Sequence, residues 1–403
     1  MFINRNLITE TYRFIFKEIY FFWELFKKIE FNLRKIIYKL LGRTVNINSL
    51  KKKGDVIAKL IFKGEIYFLF NKKDINNKKF KYFREARYKI PNYYIYIIKN
   101  GIIKSGSNSI FSSLGKKISG INFQEIPFDY HIIKNLKNLN IKYLDGILLV
   151  LGVGSIERNY YHSWTEFAAR AYATKLANLE YDYILINNDN KFTREILEIL
   201  DFPHKKIIIS SNYSYLSAKK IIYPELINNY QEILLNGITV YHNKYLPSWL
   251  KFLYEDVSKN KYLLNSQNSF EKIYISRRNK DVRNIINEKD LILNLENLGF
   301  KTIYFEDYSI KEQIRIAQLS NQIVAIHGAG LANINFCRKG TKVLELLPYY
   351  YQNQIIYMNA ILMELDYSFY IGIPSNKLWR ERPLNENFKV DVEIINDYIK
   401  DNW

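Results

Sequence analysis

Between residues 146 and 402 the chain alternates short apolar runs with stretches of helical spacing, and this pattern limits its fold more than any other feature. Strand-like runs fall at 146–152, 183–186, 206–210, 272–276, 302–305, 323–327, 342–347 and 367–371. Between them lie helical patterns at 163–179, 192–200, 248–256, 288–298, 310–319, 352–364 and 392–402. Strands separated by helices pair in parallel, with the helices covering both faces of the sheet. A polar stretch at 258–270 divides the alternation in two, so the chain reads as two Rossmann-like halves. The expected segments are a basic amphipathic helix over 1–45, a first domain over 46–257, a linker over 258–270, a second domain over 271–388 and a closing helix over 389–403. Within 54–145 the pattern changes to short alternating runs broken by Lys63-Gly64 and Asn100-Gly101, which predicts strands and hairpins.

In the N-terminal segment, Ile15, Ile19, Phe22, Phe26, Ile29, Leu33, Ile36 and Leu40 recur at spacings of four and three. Nine basic and four acidic residues accompany them over residues 1–43. Such a stripe suits a helix lying on a membrane surface through residues 12–41, and equally one docked on the protein body or on a second subunit. Charges at Lys17, Glu18, Glu24, Lys27 and Lys28 interrupt it before it could span a bilayer. The N-terminus lacks a compact apolar core followed by a small-residue cleavage site, which predicts a cytoplasmic protein, peripheral to the inner membrane face if the helix binds lipid. A single cysteine, Cys337, excludes an internal disulfide and cysteine-built zinc sites. The formal charge of +19 implies an anionic partner or a codon-driven excess of lysine. Nucleic acid is the least favoured partner, because the basic residues are dispersed and no recognition motif accompanies them.

Chemistry concentrates at strand ends. One strand runs into Ser276-Arg277 and another into His327-Gly328-Ala329-Gly330-Leu331. Small residues at a strand-to-helix turn let backbone N–H groups approach an anion, and arginine supplies a planar fork for phosphate oxygens. The next strand, at 342–347, brings Glu345 to the same edge, where a carboxylate can accept ribose hydroxyls. The chain has neither a Walker lysine nor a GxGxxG fingerprint. Upstream, His162, Glu166 and Arg170 recur every four residues and share one helical face. That face holds a base, an acid and a cation; it also fits a core histidine beside an ordinary Glu–Arg helix pair.

These residues resemble the donor domain of glycosyltransferase family 61. The likeness rests on Tyr274-Ile275-Ser276-Arg277, Arg283, Ile285, Asn287-Glu288, Gln313, His327 to Leu331, Phe336, Gly340-Thr341 and Glu345-Leu346. Asn159-Tyr160-Tyr161-His162 with Glu166 and Arg170 resembles the family's Asn-x-x-His-x-x-x-Asp segment, with glutamate for aspartate and Trp164 one place late. The family includes bacterial capsule and lipopolysaccharide enzymes, plant xylosyltransferases and eukaryotic O-linked N-acetylglucosaminyltransferases. The resemblance implies an α/β fold of the GT-B type, with an acceptor-side first domain, a nucleotide-sugar-binding second domain and inversion at the anomeric carbon. It further implies a cell-surface polysaccharide product built on a glycan or lipid-linked acceptor from a nucleotide sugar, UDP being the expected carrier. Arg277, Arg283, His327, Gly328, Ala329, Gly330, Leu331 and Glu345 are then donor-binding, with Ser276, Asn159 and Arg170 in support. Glu166 is the first candidate for the base, with His162 orienting it or serving as base itself. Asn188-Asp189-Asn190 offers one carboxylate and Asp391-Val392-Glu393 opens a helix, so no metal or other cofactor is expected. A nucleotide-sugar-binding protein without turnover is the alternative, and the oligomeric state is open.

Overall fold

The computed structural model describes residues 42–403 apart from 70–72, 76–85, 107–108, 122–135, 154–157, 203–205, 211–213, 228–229, 236–237, 244–245, 261, 263–268, 278–281, 350 and 375–386. The N-terminal amphipathic helix, with its proposed contact surface over 12–41, and most of the 258–270 linker lie outside the described residues. Thr44–Asn46, the first element after it, is a strand.

Two sheets organise the chain. Ten strands form the first, and its parallel part carries Tyr215–Pro224, Ile141–Val150, Tyr183–Ile186 and Lys206–Ile209 in that spatial order. Antiparallel strands from Val56–Phe62, Tyr93–Lys99 and Ile102–Lys104 extend it, as the alternating pattern before residue 145 predicts. The second sheet runs Lys301–Ile303, Lys272–Ile275, Gln322–Ile326, Lys342–Leu347, Asp366–Ile371, all parallel, and ends on the short strand Lys73–Asp74. Its five C-terminal strands follow the doubly wound order 2-1-3-4-5, which leaves a crevice between the carboxyl ends of the first and third. Those ends are Ser276-Arg277 and His327-Gly328. In the first sheet the order reverses beside Ile141–Val150, and the chain leaving that strand leads to the helix at Tyr160.

Helices between the sheets join them in one apolar core. Trp164 packs edge-on to Phe336 with ring centroids 4.7 Å apart, and Tyr254 meets the same ring at 5.8 Å. Such aromatic pairs add ~1 kcal/mol each beyond the area they bury. Glu195, on the helix Lys191–Ile199, accepts at 2.8 Å from the Ile310 N–H that opens Ile310–Leu319. The last helix, Val392–Asn402, packs on Glu288–Asn297 of the second half, with Asn396 donating to Asn294 at 2.8 Å. Two segments differ from the sequence pattern. Residues 352–353 belong to the strand Tyr351–Asn353, which pairs in parallel with Ile238–Asn243, and the helix begins at Ile355. Asn353 Oδ1 accepts from the Ile355 N–H at the turn into the helix, which starts three residues later than the sequence pattern predicts. Tyr215–Pro224 supplies a central strand where no helix-strand alternation marks one, because hairpin neighbours on one side and a parallel strand on the other complete it.

Candidate active site

A cavity of about 600 Å³ opens where the two strand-end crevices meet, lined from the first half by Arg158, Asn159 and His162 and from the second by Arg277, Arg283 and His327.

The first-half wall is a helix start. Asn159 caps it by accepting from the Tyr161 N–H at 3.0 Å, which satisfies one of the donors a helix leaves open. Tyr160 and Tyr161 anchor the turn to the other half: the Tyr160 hydroxyl donates to Asn333 Oδ1 at 2.7 Å, and Asn359 Nδ2 donates to the Tyr161 hydroxyl at 2.9 Å. Asn333 is itself held by its Nδ2 donating to Gln313 at 2.9 Å. The helix then loosens to π spacing over Ser163–Ala168, a departure that recurs at functional sites. Here the His162 Nδ1 lies 3.1 Å from Glu166 Oε1. With Glu166 accepting the Nδ1 proton, the ring's accepting atom is Nε2. His162 keeps 16% of its side-chain surface, whereas Glu166 keeps none and does not line the cavity. Direct contact between Glu166 and an acceptor, which the first choice of base requires, does not fit this burial. Arg170 is also fully buried, one turn further along; its Nη1 donates to the carbonyls of Leu151 and Gly152 that end the central strand. Its place is under the crevice.

The second-half wall is cationic. Arg277 donates from Nη1 to the His327 carbonyl at 2.9 Å, and a Cβ on Gly328 would come within 3.4 Å of that nitrogen. Arg283 lies 4.8 Å over the Tyr351 ring and has φ of +60°, a backbone state that costs a non-glycine residue ~1 kcal/mol. Asn284 and Ile286 are clamped on the strand at Phe388, which holds the turn in place. Burial and the neighbouring Arg283 charge lower the Arg277 guanidinium from 12.5 to about 10. Two arginines under mutual repulsion in a half-closed cleft are poised for an anion. Ser276 lines the cavity while its hydroxyl donates to Glu288 at 2.7 Å. Gly328, Ala329, Gly330 and Leu331 line it as well, at the head of the 3₁₀ helix Ala329–Phe336. Glu345 does not. It has no exposed surface and stands behind His327, accepting from His327 Nδ1 and from the Tyr367 hydroxyl, so its burial does not fit a ribose contact. Both faces of its strand are covered, with Val343 and Leu347 packed on the side of Glu345 and Leu344 and Leu346 on the other.

The structure thus brings His162, Asn159, Arg277, Arg283, His327 and the Gly328 turn to one cavity and sets Glu166, Arg170 and Glu345 behind it. Sequence reasoning missed Tyr351, Tyr367 and the cross-linking Tyr160 and Asn333. Only the tyrosine run at 349–351 and the polar Asn333 inside an apolar segment offered a signal. Among the described residues no group of three or more His, Cys, Asp or Glu side chains is arranged to hold a metal ion.

Residues 160–344 match the family model of glycosyltransferase 61. That span contains every cavity residue named above except Arg158, Asn159 and Tyr351. A 70-residue stretch is 39% identical to protein O-linked-mannose beta-1,4-N-acetylglucosaminyltransferase 2 of Xenopus laevis and covers 17% of this chain and 12% of that protein. The Mus musculus protein of the same name is 33% identical over 70 residues, with the same shares. The matched stretch is therefore about an eighth of the relatives' length. Among solved structures, a flavo di-iron protein variant from Thermotoga maritima aligns over 86% of this chain and 97% of its own at 14% identity, with a TM-score of 0.23, too low to relate the folds. No helix among the described residues is long and apolar enough to cross a membrane.

Proposed function

We propose that this chain is an inverting glycosyltransferase that moves a sugar from a nucleotide diphosphate, UDP being the first candidate, to a hydroxyl of a glycan acceptor. The observation that carries the reading is one cavity bounded on one half by a histidine backed by a buried carboxylate and on the other by an arginine pair. The two flanking sheets then correspond to the facing halves of a GT-B enzyme.

In the proposed step the acceptor oxygen bonds to the anomeric carbon and its proton passes to His162 Nε2. The bond from that carbon to the diphosphate oxygen breaks, and its electron pair leaves on the phosphate, opposite Arg277 and Arg283. Glu166 fixes the His162 tautomer and stabilises the imidazolium that forms, so it is a positioning residue. Two guanidinium groups can meet the leaving charge, which supports transfer without a divalent ion. The expected setting is cell-surface polysaccharide synthesis at the cytoplasmic face, and the basic amphipathic sequence pattern of residues 12–41 supports a contact with the membrane surface there. N-acetylglucosamine is the first sugar to test, given the relatives' name.

The test incubates the full chain with UDP-sugars in EDTA and follows UDP release. His162→Asn is expected to lower turnover 10²–10⁴-fold while UDP still raises the melting temperature. Turnover that survives the substitution removes His162 as base. Turnover abolished by EDTA removes the metal-independent step, and absence of any nucleotide-induced shift removes the donor site.

A further inference from the structure

The cavity holds a second histidine–carboxylate pair. His327 Nδ1 meets Glu345 Oε1, just as His162 meets Glu166, but the surroundings differ. Glu345 is fully buried, and its other oxygen accepts from the Tyr367 hydroxyl, which burial and the adjacent carboxylate push well above its ordinary value and so keep protonated. Both carboxylate oxygens are therefore occupied as acceptors, and the proton on His327 sits at Nδ1. That leaves a lone pair at Nε2, in a residue that lines the cavity. The groups facing the ring are Glu345 from the strand Lys342–Leu347, Arg277 after Lys272–Ile275, Arg283 from the clamped turn, and the Tyr351 ring at 5.0 Å; Glu306 bears on Arg277 from the following 3₁₀ turn.

A neutral ring with a lone pair toward the ligand repels a diphosphate. Burial lowers the His327 value in the empty site; Glu345 works against it, the charges of Arg283 and Arg277 add to it, and the net lowering keeps the ring neutral near pH 7. A diphosphate neutralises those arginines and adds an acceptor at Nε2, which reverses the balance, while Glu345 supplies a counter-charge already in place.

Resting on the donor-site reading above, we propose that donor binding is coupled to uptake of one proton at His327 Nε2, with Glu345 and Tyr367 as the positioning residues that hold the ring ready for it. One solvent proton is taken up when the nucleotide binds and returned when it leaves. His162 is then the group that accepts a proton from the acceptor, and His327 the group that presents one to the phosphate.

The probe is UDP-N-acetylglucosamine, whose diphosphate is a diester and does not titrate near neutrality, with UDP as a second ligand. Calorimetric titration of the full chain at pH 7.5, in buffers of different ionisation enthalpy, counts protons directly. About one proton is expected per nucleotide, with Kd weakening up to tenfold per pH unit as pH rises through the window between the free and bound values. His327→Asn should bind more weakly with no proton uptake. Glu345→Gln should lose most of the uptake. Tyr367→Phe, a milder change in the core, should reduce the uptake while the protein stays folded. Binding without proton exchange from pH 6.5 to 8.5 overturns this inference alone, as does uptake that persists in His327→Asn. Failure of the folded protein to bind either nucleotide overturns the donor-site reading and the coupling with it.

Discussion

Replacing Arg277 with methionine separates stability from binding. Holding Arg277 at about 10 rather than 12.5 means that the unliganded fold disfavours the charge. At about 1.4 kcal/mol per unit this costs the native state about 3 kcal/mol. Methionine keeps much of the length and removes the charge, at the loss of the 2.9 Å hydrogen bond to the His327 carbonyl, worth about 1 kcal/mol. The net expectation is a variant about 2 kcal/mol more stable when empty, a rise of roughly 2 °C in melting temperature for a chain of this length. UDP at a hundredfold its wild-type Kd stabilises wild type by about 2.7 kcal/mol. Loss of one charge-assisted contact of about 1.5–3 kcal/mol reduces that gain in the variant to less than about 1.5 kcal/mol. Scanning calorimetry with and without UDP reads both quantities without an acceptor, and the order of the two proteins should reverse or close on adding ligand. A variant that melts lower than wild type when empty makes Arg277 a structural anchor and refutes the electrostatic argument. An undiminished UDP shift places the diphosphate elsewhere.

Three further outcomes follow from single contacts. Glu166→Gln exchanges the charge-assisted bond to His162 for a neutral one, a loss of about 2 kcal/mol in the transition state, so turnover should fall roughly 30-fold. Its UDP-induced shift should be unchanged because Glu166 does not line the cavity; a matching loss of UDP affinity would contradict its placement. Tyr160→Phe leaves Asn333 Oδ1 without the 2.7 Å donor in the core and should cost about 1–3 kcal/mol in urea denaturation, whereas a neutral result would mean that the two halves do not depend on this link. Cys337 is buried, and burial pushes its thiol up to about 12, so iodoacetamide at pH 8 should label it only in denaturant; rapid labelling of the native protein would contradict the packing around it.

Much of the site was legible because strand ends are local features. The runs that stop at Ser276-Arg277 and His327-Gly328 are visible as sequence, and parallel sheets collect ligands at such ends. The helix carrying His162 was legible too, although its π turn was not, because π spacing depends on how the helix seats against neighbouring elements. Hidden entirely were the strand Lys73–Asp74 on the far edge of the second sheet and the pairing of Tyr351–Asn353 with Ile238–Asn243. Both join residues more than a hundred positions apart, and hydrophobic periodicity carries no such information.

By itself, then, the sequence determined the alternation of strands and helices, and with it a parallel sheet and the positions where chemistry could sit. It also determined that His162 and Glu166 are neighbours, since four residues of helix bring them together. Tertiary structure alone decided which member of each pair faces the cavity. Helical and strand spacing set distances between side chains, but burial follows from what packs against each face. That packing puts Glu166 and Glu345 at zero exposure, leaves their histidines at the cavity wall, and brings His162 of the first half to the same cavity as the second half's arginines.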